Sequence, residues 1–319
     1  MRWLLVILSV LLVVPRYAGE ERLPLIGATP AVEARAYVPG GGWPRQIGAL
    51  VPVGGVTLHS YDPAFGGFSA LAIRGGRTIL LSDGGNVLSF ALRGGRVENA
   101  RGYVLPAGPG RGWRRADRDT ESLALDPAIG AAWIGFENHN EIWRYPPGFV
   151  GGARRGRPAA MREWRFNAGA ESLVRLADGR FLAVAEEGPT RKTRSALLFS
   201  GDPSAKGTRV ERLLIRRPPG YNPSDAAQLP NGDVLILMRR YSFPLRFSAL
   251  LLRIPLSELR SRHVATGGVI ARLGPPLVDE NCEGLAVTVE QGRTMLWIAT
   301  DNDLMPLRPS YLLKFRLEE

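Results

Sequence analysis

The chain has 319 residues, 45% of them hydrophobic and 22% charged, with Cys282 as its one cysteine. That length supplies one large domain or two ordinary ones with ample core, and a single cysteine excludes an internal disulfide or a Cys-rich zinc site. The formal charge of +11 comes almost wholly from scattered arginines, with only Lys192, Lys206 and Lys314 as lysines, so it reads as a solvated basic surface and no specific nucleic-acid partner is expected.

Arg2 is followed by the apolar run Trp3 to Val14 and then by Pro15 to Gly19, which reads as a secretory signal over residues 1–19. The run is shorter than the roughly 20 residues of a bilayer span, and none like it follows. The expectation is an exported protein, periplasmic or secreted and monomeric, without a transmembrane span after the signal. Arg16 stands where cleavage favours a small residue, so an uncleaved, tethered form is the alternative. Residues 20–54 read as an N-terminal extension and residues 55–319 as one β domain.

Five similar units follow. They open with FSALAIRGGRTILLSDGG at Phe68, ESLALDPAIGAAWIGFENHN at Glu121, ESLVRLADGRFLAVAEEG at Glu171, SDAAQLPNGDVLILMRRYS at Ser224 and EGLAVTVEQGRTMLWIATDND at Glu283, with starts 53, 50, 53 and 59 residues apart. Each has an apolar strand, a turn rich in Gly, Asp, Asn or Pro, and a second strand dense in Val, Ile, Leu and aromatics, a hairpin pattern. Further strands are legible at 195–200, 210–215, 248–254 and 268–273. Four strands per unit at this period predict the all-β class and a β-propeller. Five repeats are counted; a sixth blade drawing on residues 32–53 is the alternative. The last unit supplies only three strands, the third at 311–317, and Gly55 to Ser60 is expected to complete it and close the ring. No segment carries sustained helical periodicity. Trp133, Trp143, Trp164 and Trp297 read as blade core.

In a hairpin the start of the first strand and the end of the second share an edge. Aligned on their turns, the units place Phe68, Glu121, Glu171, Ser224 and Glu283 at the start, with Asp225 one residue on. They place Asp83, Glu137, Glu186, Arg239 and Ala299 at the end, with Asp301 two residues on. One mouth of the channel should therefore gather an acidic ring. Glu121, Glu171, Glu283 and Arg239 are the candidate catalytic residues, and Asp83, Glu137, Glu186, Asp225 and Asp301 the candidate metal ligands. An all-oxygen donor set suits Ca²⁺ or Mg²⁺ better than zinc. Arg118, Arg239, Arg240 and Lys192 are available to neutralise the ring or receive an anionic group. His139, beside Glu137, reads as a loop residue, and no serine lies in a G-x-S-x-G elbow.

The motifs FGGFSALAI, LLSDGG, RDTESLALDP, AESLVRLADGRFLAVAEEG, NPSDAAQLPNGDVLIL and ENCEGLAV together resemble the phytase-like family described as having esterase-like activity of phytase, over roughly residues 55–317. The resemblance implies an exported propeller hydrolysing a small phosphomonoester or other ester, with Ca²⁺ as its cofactor. Asp83, Asp119, Glu121, Glu171, Asp225 and Glu283 fall at the family's recurring acidic positions. The chain carries no dense Lys and Arg cluster matched to a many-phosphate substrate. A calcium-dependent lactonase-like enzyme and a non-catalytic ligand-binding propeller are the other readings that these residues allow.

Overall fold

Runs such as Val234-Leu235-Ile236-Leu237-Met238 are apolar on both strand faces, because each sheet is covered on both sides. Val234, Ile236 and Met238 enter one core and Leu235 and Leu237 the next, as the period-two alternation of side chains requires. Five such cores lie between successive sheets. The computed structural model describes residues 22–244, 246–305 and 308–318; the signal expected over residues 1–19 lies outside them.

These residues form a five-bladed β-propeller. Blade 1 comprises Phe68–Arg74, Arg77–Ser82, Asn86–Arg93 and Arg96–Val104. Blade 2 comprises Thr120–Leu125, Ala132–Phe136, Glu141–Tyr145 and Arg154–Gly156. Blade 3 runs Ala170–Arg175, Phe181–Ala185, Thr193–Phe199 and Val210–Arg216, with Val264–Ala265 added in parallel at its edge. Blade 4 runs Asn222–Gln228, Val234–Ser242, Arg246–Ile254 and Gly268–Leu273. The first strand of each blade touches those of its neighbours around the axis, and blade 5 returns to blade 1. At that seam Gly284 is needed for space, since a Cβ there would lie 2.6 Å from Leu71 Cβ.

Blade 5 closes the ring with strands from both parts of the chain. Asn281–Glu290, Arg293–Asp301 and Ser310–Leu317 continue into Leu50–Ser60, and Val32–Ala36 caps that strand on the outside. The stretch expected as an extension is thus woven into the closing blade, and no sixth sheet forms from it among the described residues. The stretch also bonds to the rest of the propeller: the Tyr37 side chain donates its hydroxyl to Leu277 O at 2.6 Å, and the Leu23 backbone N–H donates to Trp113 O at 2.8 Å. Among the described residues the helices are a few short turns, with one α-helical turn at Arg115–Arg118, and none of them is long and apolar enough to cross a membrane.

Candidate functional site

Every innermost strand carries a β-bulge at the same place, between Phe68 and Ala70, Thr120 and Ser122, Ala170 and Ser172, Pro223 and Asp225, and Cys282 and Gly284. A bulge puts two residues opposite one and re-aims the extra side chain. The bulged residues are Ser69, Glu121, Glu171, Ser224 and Glu283. Turn counting put Phe68 in this column, but Phe68 belongs to an inter-blade core and Ser69 takes its place.

The residues just past the partner of each bulge are Asp83, Glu137, Glu186, Arg239 and Asp301. Counting from the turn put Ala299 in this second column. The hairpin of blade 5 has longer arms, so Ala299 pairs with Gly284 inside the sheet and Asp301 reaches the end.

The two columns converge on a cavity of about 550 Å³ at the mouth of the channel. Its wall holds Ser69, Asp83, Glu121, Glu137, Glu171, Glu186, Arg239, Glu283 and Asp301 from the columns, together with Arg115, Asp119, Asn138, Phe166, Asn167 and Asp303 from the connections between strands and Asn281 from the start of a blade 5 strand. Nine carboxylates therefore face two guanidinium groups. Asp225 is not brought there. It is buried in the inner strand, where its carboxylate accepts the backbone N–H of Leu285 at 2.7 Å and of Ala226 at 2.8 Å.

Arg239 is partly buried among the carboxylates, its side chain 27% exposed. Its Nε lies 3.0 Å from Glu283 Oε1, and its Nη2 lies 3.9 Å from both Glu171 Oε2 and Glu186 Oε1. Arg115 is about half exposed, with Nη2 2.6 Å from Asp83 Oδ2 and Nε 3.7 Å from Asp119 Oδ1. Sequence reasoning missed Arg115. Its one signal was a place in the basic stretch 111–118, where spacing does not show which arginine turns inward. Besides Arg239, the arginines expected to serve the ring lie apart: Arg118 donates Nη1 to Pro109 O at 2.5 Å, and Arg240 stacks over Tyr221 at 4.9 Å. Lys192 and His139 do not line the cavity.

Burial among like charges holds Asp83, Asp119, Glu121, Glu137, Glu171, Glu283 and Asp301 above the ordinary carboxylate range. Desolvation is the largest cause throughout. Asp83 is pushed up to about 6 against the pull of Arg115, and Glu283 to about 7 against the pull of Arg239. Glu137 is also pushed up to about 7, with Asp119 and Glu186 adding to its burial. Glu121, Glu171 and Asp301 are raised well above their usual values.

Two groups of three carboxylates share Glu137: Asp119, Glu121 and Glu137, and Glu137, Glu171 and Glu186, with one oxygen of each residue within 4.8 Å of the others. Glu171 Oε2 and Asn281 Oδ1 are buried in the wall and accept no hydrogen bond. An orphaned acceptor of this kind calls for a cation or a donor that the protein does not supply, and all-oxygen donors fit Ca²⁺ or Mg²⁺.

Residues 63–304 match the Phytase-like family, described as esterase-like activity of phytase. The chain belongs to this phytase-like family. Among solved structures, this phytase-like chain is similar to glutaminyl cyclase from Myxococcus xanthus, at 13% identity over 79% of this chain and 91% of that one (TM-score 0.47). It is also similar to virginiamycin B lyase from Staphylococcus aureus, at 9% identity over 90% and 100% (TM-score 0.44). A gluconolactonase from Xanthomonas campestris shares 14% identity over 92% and 98% (TM-score 0.43). No curated protein matches the phytase-like chain.

Proposed function

We propose that the protein is an exported, metal-dependent hydrolase that cleaves a small ester, preferably a phosphomonoester, at the acidic mouth of the propeller. The observation that carries this reading is the group Glu137, Glu171 and Glu186, three converging carboxylates that include a buried oxygen without a donor. The family description supplies the ester chemistry, and the apolar run Trp3 to Val14 is the basis for export.

Glu137, Glu171 and Glu186 would hold Ca²⁺, while Arg239 stands behind them and offsets their repulsion. When bound, the cation would stabilise charge on the transferring group and acidify a coordinated water. Glu121 faces the cavity, partly exposed, and desolvation beside Asp119, Glu283 and Asp83 raises its pKa well above the usual value; a shift in that direction suits it to protonate the leaving oxygen. Arg115 is the guanidinium open to the cavity and is placed to receive anionic oxygens of the substrate. Arg239, enclosed by Glu171, Glu186 and Glu283, positions carboxylates instead.

A second reading is favoured by the balance of nine carboxylates against two arginines, which would repel a phosphate dianion in the absence of a cation: the ester is neutral, as a lactone or carboxyl ester is. The test is turnover of para-nitrophenyl phosphate and para-nitrophenyl acetate in EDTA and in excess Ca²⁺. Calcium-dependent release from the phosphate ester, lost in Arg115→Ala, supports the first reading. Calcium-dependent release from the acetate alone, spared by Arg115→Ala, supports the second. Absence of turnover with both esters sinks the hydrolase reading.

A further inference from the structure

A second cavity, of about 850 Å³, lies on the flank of blade 3. Its volume is within the range of small-molecule pockets. It adjoins the acidic mouth: Phe166 and Glu186 line the mouth, whereas their chain neighbours Arg165 and Glu187 line this cavity. The two spaces are separated only by these segments, and their charge is opposite.

Five arginines line the flank cavity. Two are neutralised at its rim, Arg212 by Glu163 at 2.8 Å and Arg165 by Glu187 at 3.5 Å. The other three, Arg191, Arg194 and Arg217, form no ion pair among the described residues. Arg194 is 7% exposed; it donates Nη2 to Asn222 Oδ1 at 2.7 Å and Nη1 to Thr193 O at 2.9 Å, while its buried Nε meets no acceptor. Arg217 donates Nε to Tyr221 O and Nη1 to Arg191 O, which leaves Nη2 free, and the exposed Arg191 side chain makes no bond. Burial, with repulsion from Arg217 added, pulls Arg194 down to about 10 against the opposing pull of Glu186 and Glu187, neither of which comes within ion-pair distance. A buried guanidinium without a counter-ion is costly, and a neighbouring second one adds to the cost. Such a set is stabilised by an anion that enters from outside. Trp164, Ala168, Leu197 and Leu213 give the same cavity an apolar floor.

We propose that this cavity binds a phosphate-type oxyanion borne on an apolar body, with Arg191 and Arg217 holding the anion in front of Arg194 and Trp164 packing against the body. Guanidinium donors match phosphate geometry, and three guanidinium groups without an ion-pair partner favour a dianion over a monoanion. The site is independent of any chemistry at the mouth.

The test is calorimetric titration of the full chain with phenyl phosphate and with inorganic phosphate, at low salt and in EDTA so that no cation lends the mouth an anion site. The expected result is one saturable site with a Kd below about 1 mM for phenyl phosphate, weakened at least tenfold in Arg191→Glu and unchanged in the mouth variant Glu171→Gln. The Arg191 side chain is exposed and bonds to no described residue, so the fold of that variant should persist, which its melting curve checks. Tighter binding of phenyl than of inorganic phosphate assigns the floor to an organic ligand; equal affinities reduce the site to one for free phosphate and overturn the role of Trp164. No saturation in the wild type, or binding that survives Arg191→Glu and is lost in Glu171→Gln, overturns the proposal.

Discussion

Arg239 and Glu283 pair through Nε and Oε1 at 3.0 Å across the seam between blades 4 and 5, both deep in the mouth. The same guanidinium faces Glu171 and Glu186 of blade 3, so one positive charge restrains three carboxylates from two blades. Replacing it by Met should cost about 3–5 kcal/mol of stability near neutral pH, the usual cost of stripping the partner from a buried charge. Thermal unfolding measures this. The loss should shrink at pH 5, where Glu283, pushed up to about 7 in the folded chain, is protonated; an equal loss at both pH values would contradict the charge argument.

Stability in EDTA should fall as pH rises from about 4.5 to 7. Glu283 and Glu137 titrate near 7 in the folded chain, against 4.5 unfolded. The folded state therefore holds more protons in that window, and the stability present below 4.5 is lost as pH climbs through the folded value. For Glu283 alone the shift amounts to about 3 kcal/mol. Urea unfolding across pH 4.5 to 8 checks the sign, and Ca²⁺ should flatten the slope by compensating the same carboxylates.

Glu137 and Asp225 should separate under calcium titration. Glu137→Gln removes the carboxylate common to both groups and is expected to weaken Ca²⁺ at least tenfold, about 1.4 kcal/mol. Asp225→Asn alters a carboxylate bound to backbone amides inside the strand and should leave calcium affinity within a factor of two. Comparable losses in both variants would place the cation elsewhere.

A chain beginning at Tyr61 lacks Leu50–Ser60 and Val32–Ala36, which leaves Ser310–Leu317 as an open edge at the end of blade 5. Unpaired edges template aggregation. Gel filtration and melting should show association or the loss of a cooperative transition; a stable monomer would refute the closing role of the N-terminal strands.

The five repeats made the propeller legible in the sequence because each blade is a local hairpin with its own turn and its own apolar strands, and its closure was legible because the last repeat was one strand short. The same alignment brought Glu121, Glu171, Glu283, Glu137 and Glu186 to one mouth, since residues at matching strand ends must share an edge. Its errors have one source. Counting from turns assumes arms of equal length, which misplaced Phe68 and Ala299 by one or two residues.

What the sequence could not determine was set by bulges and by contacts between blades. The bulge decides that Ser69 and not Phe68 faces the axis, and that Asp225 turns to the amide of Leu285 while Glu283 turns to the cavity. Arg115, Arg191 and Arg217 look alike in a chain full of arginines. Only packing shows that the first is half open beside Asp83 and that the other two form no ion pair among the described residues, because the field at a guanidinium depends on neighbours distant in the chain and on the water that burial removes.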